Sequence, residues 1–289
     1  MPDPRAAEEL HLNAGGAALP EAQQIAEFQR HILEWYALFG RELPWRGDPD
    51  PYHILVSEIM LQQTQISRVL GKYQEFLARF PELGSLASAT PAEVLQAWQG
   101  LGYNRRALSL KRIAEAAVRD HRGRLPATVH ELQSLPGIGR YTARAVACFA
   151  FDVQVPVVDT NVRRVLQRFA GGGRTEREIW VLAERLVPLG RAAEWNQALM
   201  DYGAVMRQET RRKMSTGGTL PFAATNRFWR GRIVEVLRGH RELAIPDLLE
   251  ELPYPNRDEH RVRGLIQALQ EEGMVSYNAG EDSVGLPRQ

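Results

Sequence analysis

The chain has 289 residues, 44% of them hydrophobic, and a formal net charge of +1. This is room for one large domain and a small one, each with its own core. No stretch approaches the ~20 uninterrupted apolar residues of a membrane span, no basic start followed by an apolar block reads as a secretory signal, and the single cysteine, Cys148, excludes an internal disulfide, so a cytoplasmic chain is expected.

Residues 1–21, with Asp3, Glu8 and Glu9, read as a disordered N-terminal tail. Ala22–Phe39 carries Ile25, Phe28, Ile32, Leu33, Tyr36 and Leu38 close to helical spacing, and Pro44 then stops the helix. Tyr52–Gln62 and Ile66–Phe80 are the next helical runs. Thr90 followed by Glu93 is a capping box that starts another. Further helices are predicted over Arg106–Asp120, Thr128–Ser134, Arg140–Phe149, Thr160–Phe169, Glu176–Leu186 and Glu194–Tyr202. Strand signals are almost absent before residue 220, which predicts an all-α domain. Residues 215–225, rich in Ser, Thr, Gly and Pro, read as a linker. Beyond it, helices at Phe228–Arg238, Ile245–Leu252 and Asp258–Glu272 precede two short alternating runs, Met274–Tyr277 and Ser283–Leu286. Three helices closed by a hairpin describe a winged-helix-like domain over 226–289. Such modules bind DNA or protein.

The near-neutral total hides a local imbalance. Lysine occurs only at 72, 111 and 213, so arginine supplies nearly all the positive charge. Between 207 and 232, Arg207, Arg211, Arg212, Lys213, Arg227, Arg230 and Arg232 face a single acid, Glu209. A basic segment of this kind suits a phosphate-tracking surface, or a solvated linker.

The densest signal is Leu135-Pro136-Gly137-Ile138-Gly139-Arg140-Tyr141. A helix ends, a Gly-x-Gly turn follows, and a second helix begins at once. Its first N–H groups and its dipole would face outward as an anion site, so Gly137, Gly139 and Arg140 are candidates for gripping a DNA phosphate. Twenty residues on, Val157-Val158-Asp159-Thr160-Asn161 places a carboxylate where an apolar run gives way to a helix. Asp159 can be an N-cap, a catalytic group, or both.

Taken with Leu43-Pro44-Trp45-Arg46, Ser57-Glu58-Ile59-Met60-Leu61-Gln62-Gln63-Thr64-Gln65, Trp98-Gln99-Gly100-Leu101-Gly102-Tyr103 and Asn196-Gln197-Ala198-Leu199-Met200-Asp201-Tyr202-Gly203, the chain resembles the helix–hairpin–helix–GPD superfamily of DNA glycosylases. Within it the similarity is to MutY-type adenine glycosylases, over about residues 26–206. The resemblance implies a two-lobed domain over 22–214: a six-helix barrel lobe from about 50 to 155, and a second lobe from 22–49 and 156–214. It implies duplex DNA bearing a mispaired or damaged base as partner and association with the nucleoid; nothing in the sequence requires more than a monomer, so a monomer is expected.

By the same resemblance Glu58 protonates the leaving base and Asp159 stabilises the oxocarbenium-like sugar, with Asn161 and Tyr141 in the same catalytic group. Trp45, Arg46, Leu61, Thr64 and Gln197 form the base pocket. Gln62 and Gln63 supply a wedge into the vacated stack, and Tyr103 enters from the other side. Arg105, Arg211 and Arg212 complete the DNA-binding set. The implied reaction removes adenine opposite guanine or 8-oxoguanine. The alternatives are a mismatch glycosylase removing thymine, uracil or another altered base, and a non-catalytic protein that binds lesions or other DNA.

Three departures qualify the resemblance. Endonuclease III-like bifunctional relatives carry a lysine at the position of Tyr141; tyrosine cannot form their Schiff base, so a monofunctional enzyme without lyase activity is expected. Relatives carry four cysteines after the segment matching 202–206; here 205–213 has none, so neither an iron–sulfur cluster nor another cofactor is expected, beyond a monovalent cation at the hairpin. The roughly 70 C-terminal residues are too few and too helical for a Nudix-like domain, no counterpart of the family's serine–histidine reading loop is found, and the aspartate motif reads Asp-Thr-Asn rather than Asp-Gly-Asn.

Overall fold

A computed structural model describes residues 21–48, 50–213, 225–252 and 258–287, with the backbone alone for 208–213. The expected tail, most of the expected linker, and the side chains of Arg211 and Arg212 lie outside these residues. Fourteen helices and three short strands are described. The helices are α1 Ala22–Phe39, α2 Pro51–Leu61, α3 Ile66–Arg79, α4 Leu83–Ser88, α5 Pro91–Ala97, α6 Arg105–His121, α7 Val129–Ser134, α8 Arg140–Phe151, α9 Thr160–Phe169, α10 Glu176–Leu186, α11 Ala192–Lys213, α12 Asn226–Leu237, α13 Ile245–Glu251 and α14 Glu259–Glu271. The strands are β1 Leu243–Ala244, β2 Ser276–Asn278 and β3 Ser283–Gly285.

Local chemistry sets most boundaries. The Thr90 hydroxyl accepts from the Glu93 N–H while the Glu93 carboxylate accepts from the Thr90 N–H, the reciprocal box expected at the start of α5. Thr175 and Glu178 repeat it at α10. Thr225 and Asp258 cap α12 and α14. One element runs far beyond expectation. α11 continues past Tyr202 to Lys213, because Ala204-Val205-Met206-Arg207-Gln208-Glu209-Thr210-Arg211-Arg212-Lys213 has neither proline nor glycine to stop it. α4 and the two-residue β1 are too short for periodicity to reveal.

The chain divides into two compact units, cut differently from the expected lobes. The first comprises the described parts of Met1–Ile54, Ala127–Ser134 and Ile138–Gly217. Phe28 on α1 stacks on Phe169 of α9 at 4.0 Å and meets Trp195 of α11 edge-on, within a core that includes Ile32, Leu166, Ile179, Leu182 and Tyr202. α7 and α8 belong here rather than with the barrel lobe, because Ala145 and Cys148 of α8 bury against Val157 and Ala192.

The second unit comprises Leu55–Pro126, Leu135–Gly137 and the described parts of Gly218–Gln289. Phe76 of α3 meets Trp98 edge-on, both fully buried. The C-terminal module has the order α12, β1, α13, α14, β2, β3, with an antiparallel sheet in the order β1-β3-β2 and Leu243 opposite Val284. This is the arrangement of a winged helix, its hairpin joined by a third short strand. The module does not form a unit of its own. Its Pro287 carbonyl accepts from the Ala92 N–H, Gln99 bonds Glu235 at 2.7 Å, and Arg238 reaches the Leu95 carbonyl and Asn104.

Candidate active site

In the first unit, Asp159 is the N-cap of α9. One carboxylate oxygen accepts from the Asn161 and Val162 N–H groups at 2.8 and 2.7 Å, and the other accepts from the Asn161 side-chain amide at 2.8 Å. Burial is the largest influence and pushes the Asp159 carboxyl above its usual range, against these donors and Arg164. Asn161 in turn accepts from Arg164, which also donates to the Gly203 carbonyl at 2.8 Å. A Cβ on Gly203 would stand 2.4 Å from the Asn161 carbonyl oxygen, so α9 and α11 pack as closely as they do only with glycine there.

The run leading into Asp159 is fixed by a residue given no role in the sequence reading. Asn196, 1% exposed, accepts from the Val157 N–H at 2.7 Å and donates to the Val155 and Ala192 carbonyls. Its amide also donates to the Cys148 sulfur. Burial pushes the Cys148 thiol up to about 12. A four-cysteine cluster does not fit a chain with one inert, buried thiol. Among the described residues no group of three or more His, Cys, Asp or Glu could hold a metal ion.

Asp201 is the anchor of the neighbouring pocket residues. It takes a bidentate pair from Arg46 at 2.7 and 2.8 Å, plus the backbone N–H and guanidinium of Arg41. Burial alone would raise this carboxyl, but the Arg46 and Arg41 bonds overcome it and hold it below its usual range. Arg46 also reaches Tyr36, whose hydroxyl donates to Gln197 at 3.0 Å. Two expected pocket residues, Arg46 and Gln197, are thus joined through Tyr36, with the Arg46 guanidinium engaged by Asp201. Trp45 is buried.

The two hairpin glycines adopt different backbones. Gly137 has φ +86°, a conformation that favours glycine, but the Gly139 backbone is extended. Space around Gly139 is open: a Cβ there would meet nothing within 4 Å. Gly139 is the N-cap of α8 and supplies no side-chain hydrogen bond to the first N–H groups of that helix. Arg140 lies over the Trp180 ring at 3.8 Å. Tyr141 packs against the Ala145, Cys148, Val157 and Ala192 cluster.

In the second unit, Glu58 sits on α2 with only 7% of its surface exposed. Gln62 and Gln63, expected as a wedge, follow where α2 ends. Gln63 and Tyr103 both adopt left-handed backbone, at φ +55° and +48°. Non-glycine residues in that region concentrate at functional sites. Arg106 holds both turns. It donates to the Ile59 and Met60 carbonyls at the end of α2 (2.7 and 2.8 Å), to the Thr64 hydroxyl (2.9 Å) and to the Gly102 carbonyl (3.0 Å). Burial lowers its pKa to about 10. Thr64, an expected pocket residue, is therefore engaged by Arg106, while Leu61 is half-buried beside it. Arg105 is exposed. Arg106 escaped the sequence reading because its partners lie up to 47 positions away.

A carboxylate buried on the apolar helix α2, a carboxylate capping α9, and left-handed backbone at Gln63 and Tyr103 are the features that each unit contributes separately. The family model for the HhH-GPD superfamily of base excision DNA repair proteins matches residues 56–188. The chain is 41% identical over 231 residues to the adenine DNA glycosylase of Mycolicibacterium smegmatis, covering 72% of this chain and 79% of that one. With the adenine DNA glycosylase of Mycobacterium tuberculosis the identity is 45%, over 61% of this chain and 60% of that protein's length. A solved thermostable thymine-DNA glycosylase aligns with a TM-score of 0.59 and 32% identity, covering 63% of this chain and 87% of the other. The chain belongs to the HhH-GPD superfamily of base excision DNA repair proteins. Within that superfamily its place is with the MutY-type glycosylases.

Proposed function

We propose that the chain is a monofunctional DNA glycosylase that hydrolyses the N-glycosidic bond of adenine opposite guanine or 8-oxoguanine in duplex DNA. The likeness to adenine DNA glycosylases at 41% identity, together with retention of both carboxylates, carries the reading. Glu58, buried on α2, gives a proton to a ring nitrogen of the leaving adenine as the electron pair of the C1′–N bond moves into the base. Asp159, held in place by three donors, faces the developing positive charge on the sugar. Water then adds to C1′ and returns a proton to Glu58, leaving an abasic site.

Nothing in this sequence of steps needs an amine nucleophile, and Tyr141 stands where a Schiff-base lysine would be required for strand nicking. No step needs a redox cofactor. The open Gly139 end of α8 takes a backbone phosphate, and a monovalent cation would be held by backbone carbonyls of the hairpin. The chain works as a monomer on chromosomal DNA; among the described residues no helix is long and apolar enough to cross a membrane.

The test is base release from duplexes carrying A:8-oxoguanine, A:G, T:G and U:G. Adenine alone should be released, and borohydride should trap no covalent adduct. Release of thymine or uracil in its place would transfer the pocket to the chemistry named for the thymine-DNA glycosylase structure. Silence on every duplex would favour a protein that binds DNA without cutting it.

A further inference from the structure

The proposed reaction gives the winged-helix module no part, and the module's own chemistry argues against a second DNA-reading site. In helix-turn-helix modules that bind DNA, the N-terminal residues of the second helix enter the major groove. Here that helix is α14, and its arginines are engaged within the module. Arg261 donates to the Asn226 side chain at 2.7 Å, and Arg263 donates to Glu259 at 2.8 Å and to both Asp282 oxygens at 2.7 Å. The wing, Asn278-Ala279-Gly280-Glu281-Asp282, has two acids and no base, which a phosphate backbone repels.

What the module does hold is the turn between α5 and α6. Gly100, Gly102 and Tyr103 in this turn all have positive φ, at +88°, +70° and +48°, and for a tyrosine that backbone is strained. Such a conformation persists only where its surroundings over-determine it. Arg106 and the Trp98 indole N–H both donate to the Gly102 carbonyl, at 3.0 and 3.1 Å. From α12 come three further ties. Gln99 donates to Glu235 at 2.7 Å, and the Arg227 guanidinium lies 3.7 Å from the centroid of the Tyr103 ring. The third is Arg238, whose side chain is 8% exposed. Its Nε donates to the Leu95 carbonyl in the last turn of α5, and its Nη2 donates to the Asn104 side-chain oxygen, each at 3.1 Å. Nη1 pairs with Glu235. Asn104 is the N-cap of α6 but makes no side-chain cap bond there, so its amide oxygen serves Arg238 instead.

We propose that the module is a brace rather than a DNA reader: Arg238 is a positioning residue that, through Asn104, holds this turn in the conformation from which Tyr103 enters the duplex. Arg238 grips both ends of the turn, at Leu95 and Asn104, so its hold persists when a base takes the place of Arg227 on the Tyr103 ring. A preset turn spares the chain the cost of ordering it on DNA. The inference rests on the glycosylase reading for the role of Tyr103, but its test cleaves no bond.

The experiment uses the full chain and a duplex in which 8-oxoguanine faces 2′-fluoro-adenosine, whose glycosidic bond resists cleavage. A 2-aminopurine beside the pair brightens when the stack is opened. At saturating wild-type chain the probe should brighten. Arg238→Met and Asn104→Ala should each lower the ratio of open to closed duplex about tenfold, the worth of one hydrogen bond to a charged group. In a Tyr103→Ala background neither should change that ratio by more than about twofold, because the brace acts through Tyr103. The slope of affinity against salt should be unaltered in Arg238→Met, whereas loss of a phosphate contact would reduce it by about one. Should Arg238→Met fail to fold, Asn104→Ala carries the test, since it removes no cap from α6. Wild-type opening in Asn104→Ala, an equal loss with and without Tyr103, a reduced salt slope, or a wild-type chain that leaves the stack closed would overturn the proposal. Adenine release from an ordinary A:8-oxoguanine duplex is measured alongside. A wild-type chain that opens the stack without releasing adenine would sink the glycosylase reading and leave the brace; one that releases adenine while both variants open the stack normally would sink the brace alone.

Discussion

Replacing Arg106 with alanine removes the tie between the end of α2 and the turn that carries Tyr103. Five acceptors would lose the guanidinium: the carbonyls of Ile59, Met60, Leu101 and Gly102, and the Thr64 hydroxyl, of which Gly102 keeps the Trp98 indole N–H and Leu101 the Thr64 hydroxyl. Hydrogen bonds to a charged group contribute roughly 1.5–3 kcal/mol each, and a buried acceptor left unmade costs about 1–3 kcal/mol. These do not add, because water reaches some of the vacated volume and the guanidinium itself is costly to bury, as its lowered pKa of about 10 indicates. A net loss of about 3 kcal/mol follows, at the upper end of ordinary single substitutions. Guanidinium denaturation gives this directly as a shift in midpoint at unchanged slope. Single-turnover base release, measured well below the new midpoint, should fall at least tenfold, because both wedge turns lose their common anchor. Arg106→Lys should restore less than half of either quantity, since an ammonium cannot span two carbonyls and a hydroxyl in one plane. A loss under about 1 kcal/mol, or full rescue by lysine, would refute the reasoning.

Other expectations follow from the first unit. Since burial raises the Asp159 carboxyl, base release should decline on acidification at a pH above the usual aspartate range, as the ionised form is lost. Protonation of such a group favours the fold, so Asp159→Asn, which can still cap α9, should abolish release without lowering the melting temperature. Asp201 has the opposite sign. Its depressed pKa means that its contribution is present above the unfolded aspartate value and disappears as pH falls through the folded one. Asp201→Asn should cost about 3 kcal/mol at neutral pH, much of it from leaving Arg46 buried without its counter-charge, and the gap to wild type should narrow in acid denaturation curves. Gly203→Ala must part α9 from α11 and should cost roughly 2–3 kcal/mol with loss of base release, read by thermal melting and single-turnover assay.

Much of this arrangement was legible in the sequence because it is local. Helical spacing located α1 and α9 to the residue, and the Thr90 box and the Asp159 cap need only partners two or three positions away. What was hidden is long-range. Asn196 serves Val157 across 39 positions, and Arg46 spends its fork on Asp201 across 155. Nothing in a window of residues announces either. The division into units was hidden for the same reason: α8 is contiguous with the barrel helices in sequence but buries Cys148 against Val157 and Ala192. α11 extends past Tyr202 because the residues that follow are ordinary helix formers, although after Met206 they are polar and carry no apolar spacing. In the winged-helix module the hairpin was visible, but β1 is two residues long and Arg227 acquires meaning only when α12 brings it over Tyr103.

The account stands on one bond being broken with Glu58 as the proton donor. Single-turnover release of adenine from an A:8-oxoguanine duplex, comparing wild type with Glu58→Gln, tests it most directly. Free adenine from the wild type, at least a thousandfold slower release from the variant, and duplex affinity retained within about threefold are predicted, since one acid–base group contributes roughly 10²–10⁴-fold and this one serves both the base and the water. Adenine release that persists in the variant would contradict the account.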